Sequence, residues 1–361
     1  MDDDRWPAKY NHVPMMAAHR GRSQLYLHHV TPDRGSFTQQ EEEFIQLPQI
    51  TDVDLDASGV MYLSAWDGAG YSGDSTRGFT VRVMPDGLQT EPFPNLQDAS
   101  VEQLIEHLKS GSAKARLNAQ YELLRRPGAE AGPAAWQVAD NQDLPLDIRV
   151  AGLFTYAQIT GENGIENLVT LTSDDAVQEF ALRALADRKQ YIEQVPIEPF
   201  LTALESSSDR VNIAAIVGLG RLGRSEAVGS LLEIPVPSSF QAPEIGTEGP
   251  HATPNSDIIP AHVAANALVE IGNTEALLDA VEQDQNELAL WALRYIHETA
   301  VPERLISIYA DSNDPEWKDK IYITWREFIT RKLPMMVLGG GVHGLIHTVH
   351  ITRELIGRGL P

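Results

Sequence analysis

A train of short amphipathic segments between residues 98 and 326 constrains this chain more than any other feature. The first segment carries Val101, Leu104, Ile105 and Leu108 at positions i, i+3, i+4 and i+7. That spacing places all four side chains on one face of a helix. The sequence therefore predicts a helix that buries one apolar face from its first turn onward.

Similar segments recur along the same region. Gly111 breaks the first helix, and Leu117, Tyr121, Leu123 and Leu124 supply the apolar residues of a second helix. The positions equivalent between later segments are 33, 29 and 33 residues apart: Arg116, Arg149, Gln178 and Val211. Helical units that recur at about 30–45 residues are typical of α-solenoids, in which each unit buries its apolar face against its neighbours.

Small residues occupy the positions where neighbouring helices are expected to cross. They are Ala119, Gly152, Ala184, Ala214 and Ala265. We therefore predict a mostly α-helical fold, with a HEAT-like α-solenoid over residues 98–326.

The sequence pattern of residues 1–97 predicts β structure. Short apolar or alternating runs such as SQLYLHHV, ITDVDLD, VMYLSAW and FTVRVMP are separated by turn signals that include PDRG, DASG and PDG. Within this region Asp52, Asp54 and Asp56 have a calcium-loop spacing, but Ala57 stands where such a loop needs glycine. We interpret these three residues as part of a strand with one solvent-exposed face. We interpret the whole region as one small antiparallel sheet that resembles a propeller blade.

Particular stretches also resemble a known family. SQLYLHHVTPDRGSFTQQEEEFIQL, EPFPNLQDASVEQLIEHLKSGSAKARLNAQYELLRR and GTEGPHATPNSDIIPAHVAANALVEIG are similar to parts of membrane-bound-dehydrogenase-type proteins, which are related to glucose/sorbosone dehydrogenases. The resemblance covers roughly residues 10–325. It implies that residues 1–97 are the last blade of a truncated propeller that leads into HEAT repeats. The family is typically exported, and it often carries a c-type cytochrome, for which this sequence has no CxxCH motif.

The last segment, 327–361, differs in character. It faintly resembles questin-oxidase-like proteins, which carry a HGLI-type helix with further histidines. We predict a helical tail, on which His343, His347, His350 and Glu354 share one face at i, i+4, i+7 and i+11. Imidazoles and a carboxylate in that array could supply half of a metal site. The alternative is a terminal helix whose histidines are partly exposed.

A proline-rich insertion, 235–260, interrupts the helical region. Long loops inside compact arrays are usually functional or disordered. Four polar residues of this insertion could converge on a ligand: His251, Thr253, Asn255 and Asp257. The alternative is a rigid strap across the solenoid, since proline lowers the entropy cost of ordering a loop.

Charge and composition exclude several classes of function. The net charge of −23 argues against a nucleic-acid partner, because phosphate binding needs clustered Lys and Arg. The absence of cysteine excludes Cys-ligated zinc, iron–sulfur clusters and disulfides. No apolar run is long enough to predict a membrane span. The acidic, polar first residues predict no ordinary signal peptide, which leaves the compartment undefined.

Aromatic residues recur at helical spacings near the end of the repeat region, and we interpret them as core rather than as a binding platform. They are Trp291, Tyr295, Trp317, Tyr322, Trp325 and Phe328.

These observations favour a non-catalytic HEAT-repeat scaffold that binds another protein or module, with no cofactor of its own. One alternative is an oxidoreductase component, similar to quinone-dependent sugar dehydrogenases. Another is a metal-dependent oxidase fragment built on the tail histidines. A lone blade would leave apolar side chains uncovered, so we also expect self-association through residues 20–90.

Overall fold

The computed structural model describes residues 1–18, 23–68, 76–237 and 256–326. These residues form two compact units. The described residues of the first unit are those of Met1–Gly218 together with Ser256, and those of the second are 219–237 and 257–326. The predicted boundary at residue 97 therefore lies inside the first unit.

The described residues of the first unit begin with six antiparallel strands. Their bounds are β1 Met15–Ala18, β2 Gln24–Asp33, β3 Ser36–Gln46, β4 Ile50–Leu55, β5 Met61–Trp66 and β6 Gly78–Val83. The strands form two three-stranded sheets, in the orders β1-β2-β3 and β4-β5-β6. The sequence predicted a single sheet. The chain instead changes sheet after β3, where Gln49 adopts a left-handed φ of 44°.

One shared core lies between these two sheets. Leu25 of the first sheet and Met61 and Leu63 of the second are fully buried, and the indole of Trp6 closes the core. The expectation of an uncovered apolar sheet over residues 20–90 is therefore wrong, because each sheet covers the other. Self-association through residues 20–90 stays a prediction.

The first residues of the chain join these sheets to the helices. The carbonyl of Asp2 accepts from Ala113 N–H at 2.9 Å, and the Asp2 carboxylate pairs with Arg116. Burial opposes ionisation of Asp3, but hydrogen bonds from Arg5 and Ser112 outweigh it and lower the pKa of that carboxyl. The acidic first residues therefore connect the sheets to the first two helices through hydrogen bonds and an ion pair.

Eight α-helices follow in the part of the first unit that the structure describes. They are α1 Val101–Leu108, α2 Ala113–Leu123, α3 Gly128–Asp140, α4 Leu146–Thr160, α5 Ile165–Leu171, α6 Gln178–Ala186, α7 Glu198–Ala203 and α8 Asp209–Leu222, of which the last crosses into the second unit. α1 packs against α2 and α3, and α4 packs against α2, α3, α5 and α6. Contacts limited to near neighbours define a helical-repeat array, so the predicted fold class is confirmed.

The first two helices show how far periodicity predicted the core. In α1 the four predicted apolar residues are all buried, and Ser100 and Gln103 close a capping box at its start. α2 carries three of the four apolar residues that the sequence assigned to it, and Leu124 directly follows its last residue. Leu123 is buried, but the remaining three, Leu117, Tyr121 and Leu124, are exposed.

The structure shows one of the predicted helix crossings directly. All five small residues are buried, and the crossing of α3 and α4 occurs at Gly152. A Cβ atom at Gly152 would lie 2.8 Å from Val138 Cγ1 and 2.9 Å from Ala139 N. Only glycine lets the two helices approach this closely.

The second unit continues the repeat pattern. Its helices are α9 Val228–Leu232, α10 Ile259–Ile271, α11 Thr274–Asp284, α12 Glu287–Leu293 and α13 Ala300–Asp311, and a further helix begins at residue 315 and continues to residue 326. α10 packs against α9 and α12, and α11 packs against α12 and α13. No described helix is long and apolar enough to cross a bilayer.

Candidate functional site

The outward face of α2 carries an unusual stripe of apolar side chains. Leu117 is 37% exposed, Tyr121 is 52% exposed, and Leu124, one residue after the end of the helix, is 37% exposed. Their spacing of i, i+4 and i+7 places them along one face. We call these three residues the α2 stripe. Neighbouring apolar groups that remain in water are typical of interaction surfaces.

The opposite face of α2 explains why the stripe stays outside. Ala115, Ala119 and Leu123 are buried at i, i+4 and i+8. Small side chains allow the close packing of α2 against α1 and α4. The buried Arg116 guanidinium is held by Ser110 O at 2.7 Å and by Asp147 at 3.1 Å, in addition to Asp2. These contacts fix the rotation of α2 about its axis.

A groove of about 300 Å³ runs beside the α2 stripe. One wall is the segment 93–97, which precedes α1. The other wall is α2, which contributes Asn118, Tyr121 and Glu122, together with Arg125, two residues beyond the end of the helix. The lining thus combines aromatic, amide and charged groups, as small binding clefts in proteins commonly do.

The segment 93–97 is held in place by hydrogen bonds from Arg126. Arg126 Nη2 donates to the carbonyl oxygens of Leu96 at 3.1 Å, Gln97 at 2.7 Å and Ala99 at 3.1 Å. The Phe93 ring packs edge-on against His107, with 5.4 Å between the ring centroids. The groove is therefore formed in advance and needs no ordering of its wall before a partner binds.

The charged groups of the groove are paired with each other. Glu122 is 8% exposed and pairs with Arg125 and, at 3.8 Å, with Arg126. The arrangement provides shape, apolar contact and hydrogen bonding, so its chemistry is that of binding.

The predicted metal ligands His343, His347, His350 and Glu354 lie outside the described residues. Within the part of the chain that the structure does describe, no group of three or more His, Asp or Glu could hold a metal ion.

Most of the predicted ligand loop is also outside the described residues. His251, Thr253 and Asn255 are not described, and Asp257 is exposed in a short 3-10 helix, Ser256–Ile258. The structure therefore leaves the ligand-loop prediction untested.

The acidic triplet near the start of the chain behaves as predicted. Asp52 and Asp54 lie on the strand β4, and Asp56 begins the turn after it. The Asp56 carboxylate accepts from Ser58 N at 2.9 Å and from Val60 N at 3.0 Å. Burial opposes ionisation of Asp56, yet hydrogen bonds from the Ser58 hydroxyl, the Val60 N–H and the Tyr62 hydroxyl outweigh it and lower the pKa of that carboxyl. The triplet is a strand and its turn.

The aromatic residues near the end of the repeats are only partly core. Trp317 is 4% exposed and belongs to the core, whereas Tyr295 is 38% exposed. Trp291, Tyr322 and Trp325 are half-buried, and Phe328 lies outside the described residues.

Comparison with known proteins gives no family. No family model matches the chain, and no curated protein matches it. Among solved structures, the complex of CpcE and CpcF of phycocyanin lyase from Nostoc sp. PCC7120 has 13% identity over 68% of this chain and 100% of that chain, with a TM-score of 0.34. Two engineered proteins have 17% identity each. One covers 63% of this chain and 68% of its own length, with a TM-score of 0.33; the other covers 64% and 96%, with a TM-score of 0.27. Similarities this low indicate neither a function nor a partner.

Proposed function

We propose that this protein is a non-catalytic helical-repeat scaffold that binds another protein through the α2 stripe and its groove. The observation that carries this proposal is the concentration of exposed apolar side chains on one face of α2. Leu117, Tyr121 and Leu124 remain in water although α2 buries a complete second stripe.

The geometry favours a helical segment of the partner. The α2 stripe extends over seven residues, which is about 10 Å along a helix axis at 1.5 Å per residue. A partner helix with apolar anchors at i, i+3 or i+4, and i+7 matches that length. Asn118 and Arg125 at the edge of the groove can form hydrogen bonds with polar groups at the rim of such an interface.

Tyr121 should be the central contact. Its ring is the most exposed part of the stripe and also lines the groove. Tyrosine, tryptophan and arginine are enriched among the residues that contribute most to binding energy, because they combine a large contact area with a polar group. Arg125, 66% exposed at its side chain, lies one turn further along the same groove.

The first experiment identifies and then measures the partner. A photo-crosslinking amino acid is placed at position 121 of the full chain, and in parallel at position 323. Ile323 is the control, because it is 40% exposed on a different helix. The protein crosslinked from position 121 alone is then purified, and its binding is measured by titration calorimetry.

Tyr121→Ala should weaken that binding roughly tenfold or more, whereas Ile323→Ala should leave it unchanged. Far-UV circular dichroism checks that both variants remain folded. Equal crosslinking from positions 121 and 323, or a Tyr121→Ala affinity equal to that of the wild type, would refute the proposed surface.

The two alternatives are supported by other observations. The oxidoreductase alternative is supported by the resemblance of residues 10–325 to propeller–HEAT proteins. The metal-dependent alternative is supported by the histidine spacing in the tail. Both stay predictions.

A further inference from the structure

The last two described helices leave an apolar groove between them. Its lining comes from α13 and from the helix that begins at residue 315, and consists of Leu305, Ile306, Tyr309, Ile321, Tyr322 and Trp325. Leu305 and Ile321 are buried, whereas the other four side chains are half-buried. We call these six residues the α13 groove. Apolar side chains gathered on one surface are typical of a place that another element covers.

A buried hydrogen-bond donor in this groove has no acceptor. In the part of the chain that the structure describes, no group accepts from the indole N–H of Trp325, although water cannot reach it. Such donors are rare in native proteins, because they give up a hydrogen bond to water without replacing it. The missing acceptor indicates that a further group belongs at this groove.

The packing order of the helices predicts which element covers the groove. In the first unit α4 packs against both α2 and α3, and in the second unit α12 packs against both α10 and α11. These helices fill the space beside the two helices that precede them, as successive units of a repeat array do. By the same order, the helix that follows residue 326 should contact α13 and the helix before it. That position is the α13 groove.

The sequence after residue 326 contains a segment suited to this position. In the stretch 342–356, apolar residues stand at i, i+3, i+4 and i+7, and a further one stands at i+14: Val342, Leu345, Ile346, Val349 and Ile356. That spacing predicts a helix with one apolar face. The stretch lies outside the described residues.

The connection to this segment is long enough for docking within one chain. Fifteen residues, 327–341, separate it from the described helix, and they include the glycine run 339–341. A flexible connection of that length spans about 21 Å on average, roughly twice the width of a helix. A tethered segment is also present at a high effective concentration, which favours it over a second copy of the chain.

We therefore propose that the segment 342–356 docks into the α13 groove as the next helix of the array. Its apolar face contacts the groove. The three tail histidines fall on a neighbouring face of the same predicted helix, which stays in water: His343, His347 and His350. The contact lies within one chain and is separate from the α2 stripe, so neither proposal depends on the other.

The first test maps the occupant by photo-crosslinking in the purified full chain. A photo-reactive amino acid replaces Tyr309 in the groove. The control position is Ser307, which is exposed on the same helix and does not line the groove. After illumination and trypsin digestion, mass spectrometry should find position 309 joined to the peptide 333–353 within a monomer. The yield from position 307 should be at least tenfold lower.

The second test perturbs the docking face by hydrogen exchange. Ile346→Asp places a charge on the apolar face of the segment, whereas Thr348→Asp adds the same charge outside that face. The amides of 342–349 should exchange roughly tenfold or more faster in Ile346→Asp than in the wild type, because docking protects them. Thr348→Asp should exchange like the wild type. Far-UV circular dichroism checks that the helical array remains folded in both variants.

Several results would overturn the proposal. A crosslinked dimer as the main product from position 309 would mean that a second copy occupies the groove. Equal yields from positions 307 and 309, or no link to 333–353, would mean that the segment does not lie there. Equal exchange in the two aspartate variants would mean that Ile346 is not part of a docked face. Should Ile346→Asp not fold, the crosslinking comparison still decides the outcome.

Discussion

Replacing Gly152 with alanine should destabilise the first unit, although alanine is the better helix former. Gly152 lies where α4 crosses α3, and an added Cβ would meet Val138 Cγ1 at 2.8 Å and the Ala139 backbone nitrogen at 2.9 Å. Ordinary carbon contacts begin near 3.5 Å, so the helices would have to separate by the better part of an ångström.

The sign of the effect follows from two opposing magnitudes. Alanine gains about 1 kcal/mol over glycine in a helix interior. Overpacking a well-packed crossing costs roughly 1–3 kcal/mol. The crossing is also restrained, because Arg149 Nε donates to Ala139 O at 3.0 Å and this bond would be strained by about 1 kcal/mol. The net expected cost is therefore about 2 kcal/mol.

Differential scanning calorimetry and helical circular dichroism can measure this cost. For a unit of this size, 2 kcal/mol corresponds to a fall of about 4–8 °C in the thermal midpoint. Gly229→Ala is the matched control, since Gly229 lies in α9 and nothing is within 4 Å of an added Cβ there. That variant should gain about 0.5–1 kcal/mol.

A Gly152→Ala midpoint at or above that of the wild type would show that α3 and α4 do not approach this closely. A further check is the double variant with Val138→Ala, which removes the nearer clashing atoms. Its cost should be smaller than the sum of the two single costs, because the methyl at position 152 partly fills the space that Val138 leaves.

Three further predictions concern stability and the tail. The Asp174 carboxylate accepts from the buried Arg149 guanidinium at 2.6 Å, and this bond lowers the pKa of Asp174 below its usual 3.8. The stabilisation that this ion pair gives the folded state is therefore present above about pH 4 and is lost as the pH falls through the folded-state pKa of Asp174. Asp174→Ala should lower the free energy of unfolding by roughly 3 kcal/mol at pH 7. In urea titrations at several pH values, the variant should also lose less stability than the wild type as the pH falls below about 4. Leu185→Ala, at a side chain of α6 that is 3% exposed, should cost about 2–5 kcal/mol. An unchanged thermal midpoint would mean that the assigned core face of α6 is wrong. If the tail binds metal, equilibrium dialysis with zinc, iron or manganese should show affinity that falls below about pH 6, and a stoichiometry unaffected by His347→Ala would exclude the predicted ligand set.

Helix and strand positions followed from local patterns in the sequence. Periodicity located α1 and its four buried residues, because a 3.6-residue repeat of apolar side chains needs no tertiary information to be recognised. The strand of Asp52 and Asp54 was likewise predictable, since a calcium loop requires a glycine that this sequence lacks. The small residues expected at helix crossings could also be predicted from the sequence, because two helices that approach closely leave no room for larger side chains.

The division of the strands between two sheets depended on long-range pairing. Sequence runs show that strands exist, but which strands pair is decided by the contacts that bury them. Here the shared core joins Leu25 of β2 to Met61 and Leu63 of β5. The acidic first residues gave no sign that they pair with Arg116, more than a hundred residues away.

The candidate site could not be predicted from the sequence, because which face of α2 is buried also depends on tertiary contacts. The α2 helix carries two apolar stripes, Ala115–Ala119–Leu123 and Leu117–Tyr121–Leu124, and both have helical spacing. Periodicity identifies residues that share a face, but it cannot say which face meets the rest of the protein. By hydrophobicity alone the larger side chains belong inside. The structure buries the smaller ones, because α1 and α4 approach closely there and because the ion pairs of Arg116 fix the rotation of the helix.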